Sequence, residues 1–193
     1  MAAGGRLGGL APATRAAAHA LAAAFDVVVI ETVGVGQSET DVADAVDTVA
    51  VVVQPGSGDA LQFIKSGIME IPDVLVVTKA DLGQVATRAR RDLHAALRSL
   101  GARDTPVVPV SSVPPPQGID DLAAALDHHR AALDLTARRT QARRSGALSD
   151  FLAEHGERGL RALGGHRAAV KLLAEQPPEL PVPALVRVLE SRT

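Results

Sequence analysis

The stretch that decides the fold is 74-VLVVTKAD-81. Four apolar residues, three of them valine, run without interruption into a polar loop, the mark of a short strand buried on both faces. The pattern recurs at 48-TVAVVV-53 and 27-VVVI-30, and more weakly at 107-VVPV-110, where Pro109 points to an edge strand. Around these runs, Pro12–Ala24, Ala60–Met69, Gln84–Leu100 and Gly118 to about Arg144 read as helices. Strands alternating with helices imply βαβ crossovers, hence an α/β domain on a mostly parallel sheet. Functional residues should then gather in loops at the carboxyl ends of the strands.

Past about residue 136 the strand signals stop. Helices are expected at Leu148–Leu163, His166–Glu175 and Pro183–Leu189, with 176-QPPELPVP-183 as a break. The expected division is therefore an α/β domain over residues 1–136 and an all-helical arm over 137–193. The run 137-ARRTQARR-144 reads as a solvated helix face or as a contact for an acidic partner.

Bulk properties narrow the function classes. The chain has 193 residues, 47% of them apolar, and a formal net charge of −2. Nothing in that balance argues for nucleic acid or a membrane as partner. No apolar run reaches the roughly 18 residues that a span needs. The Ala-rich start carries no Leu-rich signal core. Cysteine is absent, which excludes disulfides and thiolate metal sites and fits a cytoplasmic location. With three Phe and neither Trp nor Tyr, there is little material for base stacking.

The loop after 74-VLVV-77 delivers Lys79 and Asp81, two residues apart and pointing the same way. A carboxylate there suits guanine, whose N1 and N2 donors it accepts, while a lysine stem lies along the ring; adenine lacks those donors. Thr78 adds a short polar side chain. Alone, such a motif is common by chance. In 27-VVVIETVGVGQSET-40, Glu31 ends the apolar run. It is a candidate for holding Mg²⁺ through water or positioning an attacking water, with the Gly34 amide offered to a γ-phosphate and Gln37 to Glu39 in the next turn. The plainer reading is a solvated glutamate before a flexible turn.

In 54-QPGSGDALQFIKSGIMEIPD-73, Asp59 can cap a helix on which Gln62 and Lys65 share a side. A capped surface helix is the alternative. The segment does not make a phosphate loop, because Ile64 stands where Gly-Lys-Ser requires glycine. Finally, 108-VPVSSVPPPQGID-120 places Ser111 and Ser112 after a strand, where a backbone amide could meet the guanine O6. His128 and His129 read as surface residues rather than a metal pair, since neighbours on a helix diverge.

In order and spacing these segments are similar to those of a G protein. From about Leu7 to Leu135 the chain resembles the MeaB/ArgK family, SIMIBI-class P-loop GTPases that serve as metallochaperone-type partners of cobalamin-dependent methylmalonyl-CoA mutase. The resemblance implies GTP and GDP as ligands with Mg²⁺, Glu31 and Gly34 at the γ-phosphate and metal, and Thr78, Lys79 and Asp81 as base readers. It implies Ser111 and Ser112 as the last guanine loop, although 111-SSVPPPQG-118 departs from the family's Ser-Ala. It also implies Asp59, Gln62 and Lys65 as a switch facing the mutase, and a homodimer through the C-terminal helices.

The family's Gly-rich phosphate loop lies upstream of 7-LGGL-10, and none of the three lysines, Lys65, Lys79 and Lys171, follows the required glycine. The expectation is a P-loop GTPase sheet lacking its first P-loop strand, from a truncated or split gene. Such a chain should show little turnover alone and leave the strand at Val27–Ile30 with an open edge. The alternative is a non-catalytic module that keeps the mutase-facing switch without binding nucleotide by itself.

Overall fold

The computed structural model describes residues 12–32, 40–56 and 72–193. Gly34, Asp59, Gln62, Lys65 and the expected helix Ala60–Met69 lie outside them. Two compact units emerge, one of residues 48–133 and one gathering 134–193 with the described part of 1–47.

The first unit is built on three parallel strands, β1 (Ala50–Val53), β2 (Val74–Val77) and β3 (Val107–Pro109), in that spatial order. All four residues of the central β2 are buried, as its unbroken apolar run requires. Its side chains alternate between two cores. Leu75 and Val77 join Val53 and Val107 beneath Ala86, Ala89, Leu93, Ala96 and Leu97 of the following helix (Gln84–Ser99). Those helical positions recur at three- and four-residue steps and form one apolar stripe. Val74 and Val76 join Val108 and Val110 against Leu122, Ala125 and Leu126 of the helix Ile119–Ala132. Among the described residues Pro109 sits on an edge strand, where its missing N–H removes nothing from the ladder.

The α/β reading holds, with corrections. Val27–Ile30 is in neither strand nor helix, and Val27 and Val29 are 71% and 84% exposed. Branched residues favour extended backbone, but a strand exists only through a hydrogen-bonded neighbour, and among the described residues none pairs with this segment. The sheet among those residues thus has three strands rather than four. The helix expected from Gly118 to Arg144 is two helices. The first ends at Ala132, and the Asp134 carboxylate accepts from the Ala137 N–H at 2.9 Å to start the second.

In chain order the helices among the described residues are α1 (Pro12–Ala22), α2 (Thr40–Ala43), α3 (Gln84–Ser99), α4 (Ile119–Ala132), α5 (Leu135–Ala162), α6 (His166–Ala174) and α7 (Val182–Glu190). α5 runs through Leu148, where a new helix was expected, and kinks at Gly156. In the second unit, Ala147, Leu148, Phe151 and Leu160 of α5 bury against Ala169 and Leu173 of α6 and Leu185 and Leu189 of α7. The arginine run is neither a plain solvated face nor left free. Arg139 forks onto Asp47 at 2.9 and 2.6 Å, Arg143 donates to the Pro178 carbonyl, and Arg144 donates to the Ala174 and Gln176 carbonyls at 3.0 and 3.1 Å. No described helix is long and apolar enough to cross a membrane.

Candidate functional site

The carboxyl ends of the three strands carry the loops that the sequence singles out. After β2 the chain is pinned before it turns. Thr78 donates to the Val53 carbonyl through both its N–H (3.0 Å) and its hydroxyl (3.2 Å), which ties the loop to β1. The Thr78 side chain is thereby committed to the backbone. Lys79 then takes a left-handed conformation (φ 52°, ψ 46°), the one non-glycine residue with positive φ among the described residues. Such a conformation costs on the order of 1 kcal/mol in a residue with a Cβ and persists where surrounding contacts enforce it. Here the Ala80 N–H donates to the Val110 carbonyl at 3.0 Å, and a short 3₁₀ turn, Ala80–Leu82, follows. The result is an exposed Lys79 and an exposed Asp81 on one loop at the sheet's carboxyl edge.

Asp81 is held from the next strand. Ser111, 2% exposed, donates through its hydroxyl to Asp81 Oδ1 at 2.5 Å, and its oxygen accepts the Val113 N–H at 3.2 Å. Ser111 is itself fixed by paired backbone hydrogen bonds with Gln117, each 3.0 Å. The loop between them closes on Gly118, with φ 72°, where an added Cβ would lie 2.1 Å from the Pro109 carbonyl oxygen. Only glycine fits that approach. Ser112 is exposed at the start of this loop. The second Asp81 oxygen makes no hydrogen bond among the described residues and stays available. A carboxylate oriented by a buried hydroxyl, with one oxygen free beside an exposed lysine, is able to accept two parallel N–H donors from a planar ring.

The structure therefore brings Thr78, Lys79, Asp81, Ser111 and Ser112 together in one unit. Glu31 belongs to the other unit and is exposed. Among the described residues no group of three metal-ligating side chains includes it. A single carboxylate remains compatible with Mg²⁺, which commonly keeps several waters and takes one or two carboxylates beside phosphate oxygens.

Two arrangements escaped the sequence reading. Ser111 contacts Asp81 across thirty residues of chain, a separation that leaves no local signature. His129, expected at the surface, is half-buried. Its Nδ1 shares a 2.9 Å hydrogen bond with the Thr48 hydroxyl and its Nε2 lies 3.2 Å from Asp73 Oδ1, while Asp73 Oδ2 accepts the Val49 N–H at 2.8 Å. That network clamps α4 to the chain leading into β1 and β2. The His129 position, one turn from the end of α4, was the available hint.

Residues 1–157 match the family model described as methylmalonyl Co-A mutase-associated GTPase MeaB. A protein of Caulobacter vibrioides named as a GTPase is 48% identical over 132 residues, which cover 66% of this chain and 40% of that protein. One of Pyrococcus abyssi, also named as a GTPase, is 42% identical over 151 residues, covering 75% and 46%. The methylmalonic aciduria type A homolog of Caenorhabditis elegans, named as mitochondrial, is 41% identical over 109 residues, covering 54% and 27%. The chain thus spans less than half the length of each of these relatives. By the extent of the model match and by these identities, the chain belongs to the MeaB family of methylmalonyl Co-A mutase-associated GTPases.

Proposed function

We propose that the chain carries the base-reading part of a GTPase that assists a cobalamin-dependent methylmalonyl-CoA-type mutase. The observation that supports this most is the oriented Asp81 carboxylate beside Lys79 at the carboxyl edge of a parallel sheet. In this reading Asp81 accepts the N1 and N2 donors of guanine, the Lys79 stem lies along the ring, and the backbone at Ser112 addresses O6. Ser111 orients Asp81, and Thr78 anchors the loop. Mg²⁺, when bound, neutralises charge on the phosphates, and Glu31 is the residue that would hold it through water, with Gly34 beside the γ-phosphate. Asp59, Gln62 and Lys65 form the surface that couples nucleotide state to the mutase, and residues 137–193 form a dimerisation arm beyond a GTPase domain of residues 1–136.

The sequence contains no Gly-x-x-x-x-Gly-Lys-Ser/Thr run. Backbone amides and the lysine of such a loop supply most of the charge neutralisation for β- and γ-phosphates. In this reading they come from polypeptide outside these 193 residues, and the chain alone hydrolyses GTP poorly. Mixing it with the phosphate-loop segment of a relative should restore hydrolysis; a soluble mixture that stays inactive argues against the reading. The same lack of a phosphate loop favours one alternative, a mutase-binding module without nucleotide. Calorimetry would support that alternative by showing no heat with GTP or GDP in the mixture while the mutase is still retained in a pull-down.

A further inference from the structure

We propose that Glu154, His155 and Glu190 form a site for a divalent transition-metal ion that staples α5 to α7. The site lies wholly within the helical unit and is independent of the nucleotide reading. One carboxylate oxygen of each glutamate and one imidazole nitrogen lie within 4.8 Å of one another, and His155 Nε2 is 3.3 Å from Glu190 Oε1. Donors about 2.1 Å from a tetrahedral ion stand about 3.4 Å apart, so closure needs side-chain movements on the order of 1 Å. Glu154 is exposed, and the His155 and Glu190 side chains are 33% and 36% exposed, which leaves all three room for that movement.

Local backbone and packing place the imidazole. α5 departs from helical geometry at Gly156 (φ 60°, ψ −168°), immediately after His155. A side chain at position 159 would bring its Cβ to 2.5 Å from the His155 Cβ and 3.2 Å from the Phe151 ring, so Gly159 leaves room for His155 to lie back over α5. The Phe151 ring, fully buried, sits 4.7 Å from the imidazole between ring centres. Gly156, Gly159 and Phe151 together aim the imidazole at Glu190 on α7.

The donor set selects the ion. One imidazole nitrogen with two carboxylates suits Zn²⁺, Co²⁺, Ni²⁺ or Mn²⁺ better than Mg²⁺ or Ca²⁺, which favour oxygen alone. Three protein donors leave the remaining positions to water. Arg187 shares the rim of the depression that Glu154 and Glu190 line, and its charge opposes a cation there.

The test is titration of the chelator-stripped full chain with Co²⁺ and Zn²⁺. One equivalent of Co²⁺ should bind with a visible d–d spectrum, and Zn²⁺ should raise the unfolding temperature. His155→Ala should abolish both effects. Glu154→Gln, at an exposed position that leaves the fold intact by circular dichroism, should weaken Co²⁺ binding at least about tenfold, the scale for losing a ligand or its support. Arg187→Ala should tighten binding, and His166→Ala should leave it unchanged. The proposal is overturned if the wild-type chain takes up no Co²⁺ at submillimolar concentration, or if Glu154→Gln and His155→Ala bind as the wild type does.

Discussion

At the scale of single residues, Asp81 and Ser111 act as a unit. The carboxylate is exposed, but the hydroxyl that orients it is buried and also accepts the Val113 N–H. Ser111→Ala removes a charge-assisted hydrogen bond and leaves that amide without its partner. A stability loss of about 1–2 kcal/mol is expected by urea unfolding; if Asp81 reads guanine as proposed, roughly tenfold weaker guanine binding should accompany it as Asp81 loses its orientation. That Lys79 and Asp81 share an exposed loop at a strand's carboxyl end was legible in the sequence, because strand and loop are adjacent in it. The role of Ser111 was not, because it is defined by a contact between two strand ends far apart in the chain. His129 was misread for a similar reason: its partners Thr48 and Asp73 precede it by more than fifty residues.

Elements follow the same logic, with caps and closures deciding what the periodicity leaves open. The strands β1, β2 and β3 and the helix α3 stand within a few residues of their expected bounds, since burial imposes its own period on the sequence. Val27–Ile30 has the composition of a strand and lacks a ladder partner among the described residues, and composition cannot supply one. The break between α4 and α5 rests on a single aspartate cap. Gly118 controls the start of α4: Gly118→Ala should cost about 2 kcal/mol or more, because the new methyl meets the Pro109 carbonyl in a left-handed conformation. Unfolding by denaturant, read at fixed slope, measures it.

In α3, burial first and then the Arg90 and Arg98 charges hold the His94 imidazole below its ordinary 6.5. The unfolded chain therefore binds a proton more readily than the folded one. Stability from this residue is complete above about pH 6.5 and erodes as pH falls below it. His94→Gln should flatten the loss seen as pH falls below about 6.5. An unchanged slope would show that His94 does not contribute to it.

For the whole molecule, the order of segments was more legible than their joints. Alternating strands and helices, then helices alone, pointed to the α/β class with a helical C-terminal part, whereas the unit holding residues 134–193 also takes in the described part of 1–47. The joints depend on tertiary partners: Arg139 on Asp47, and Arg143 and Arg144 on carbonyls at residues 174–178. A run of arginines carries no sign of which carbonyls it will meet. The function depends on whether the carboxyl edge of the sheet reads guanine. The most direct test is a nuclear magnetic resonance titration of the 193-residue chain with GMP and with AMP at millimolar concentration, where weak base binding is still visible. Amide shifts at Thr78–Gly83 and Ser111–Val113 with GMP, absent with AMP and lost in Asp81→Asn, are the predicted result. Equal responses to both nucleotides, or no response at these residues, would contradict the account.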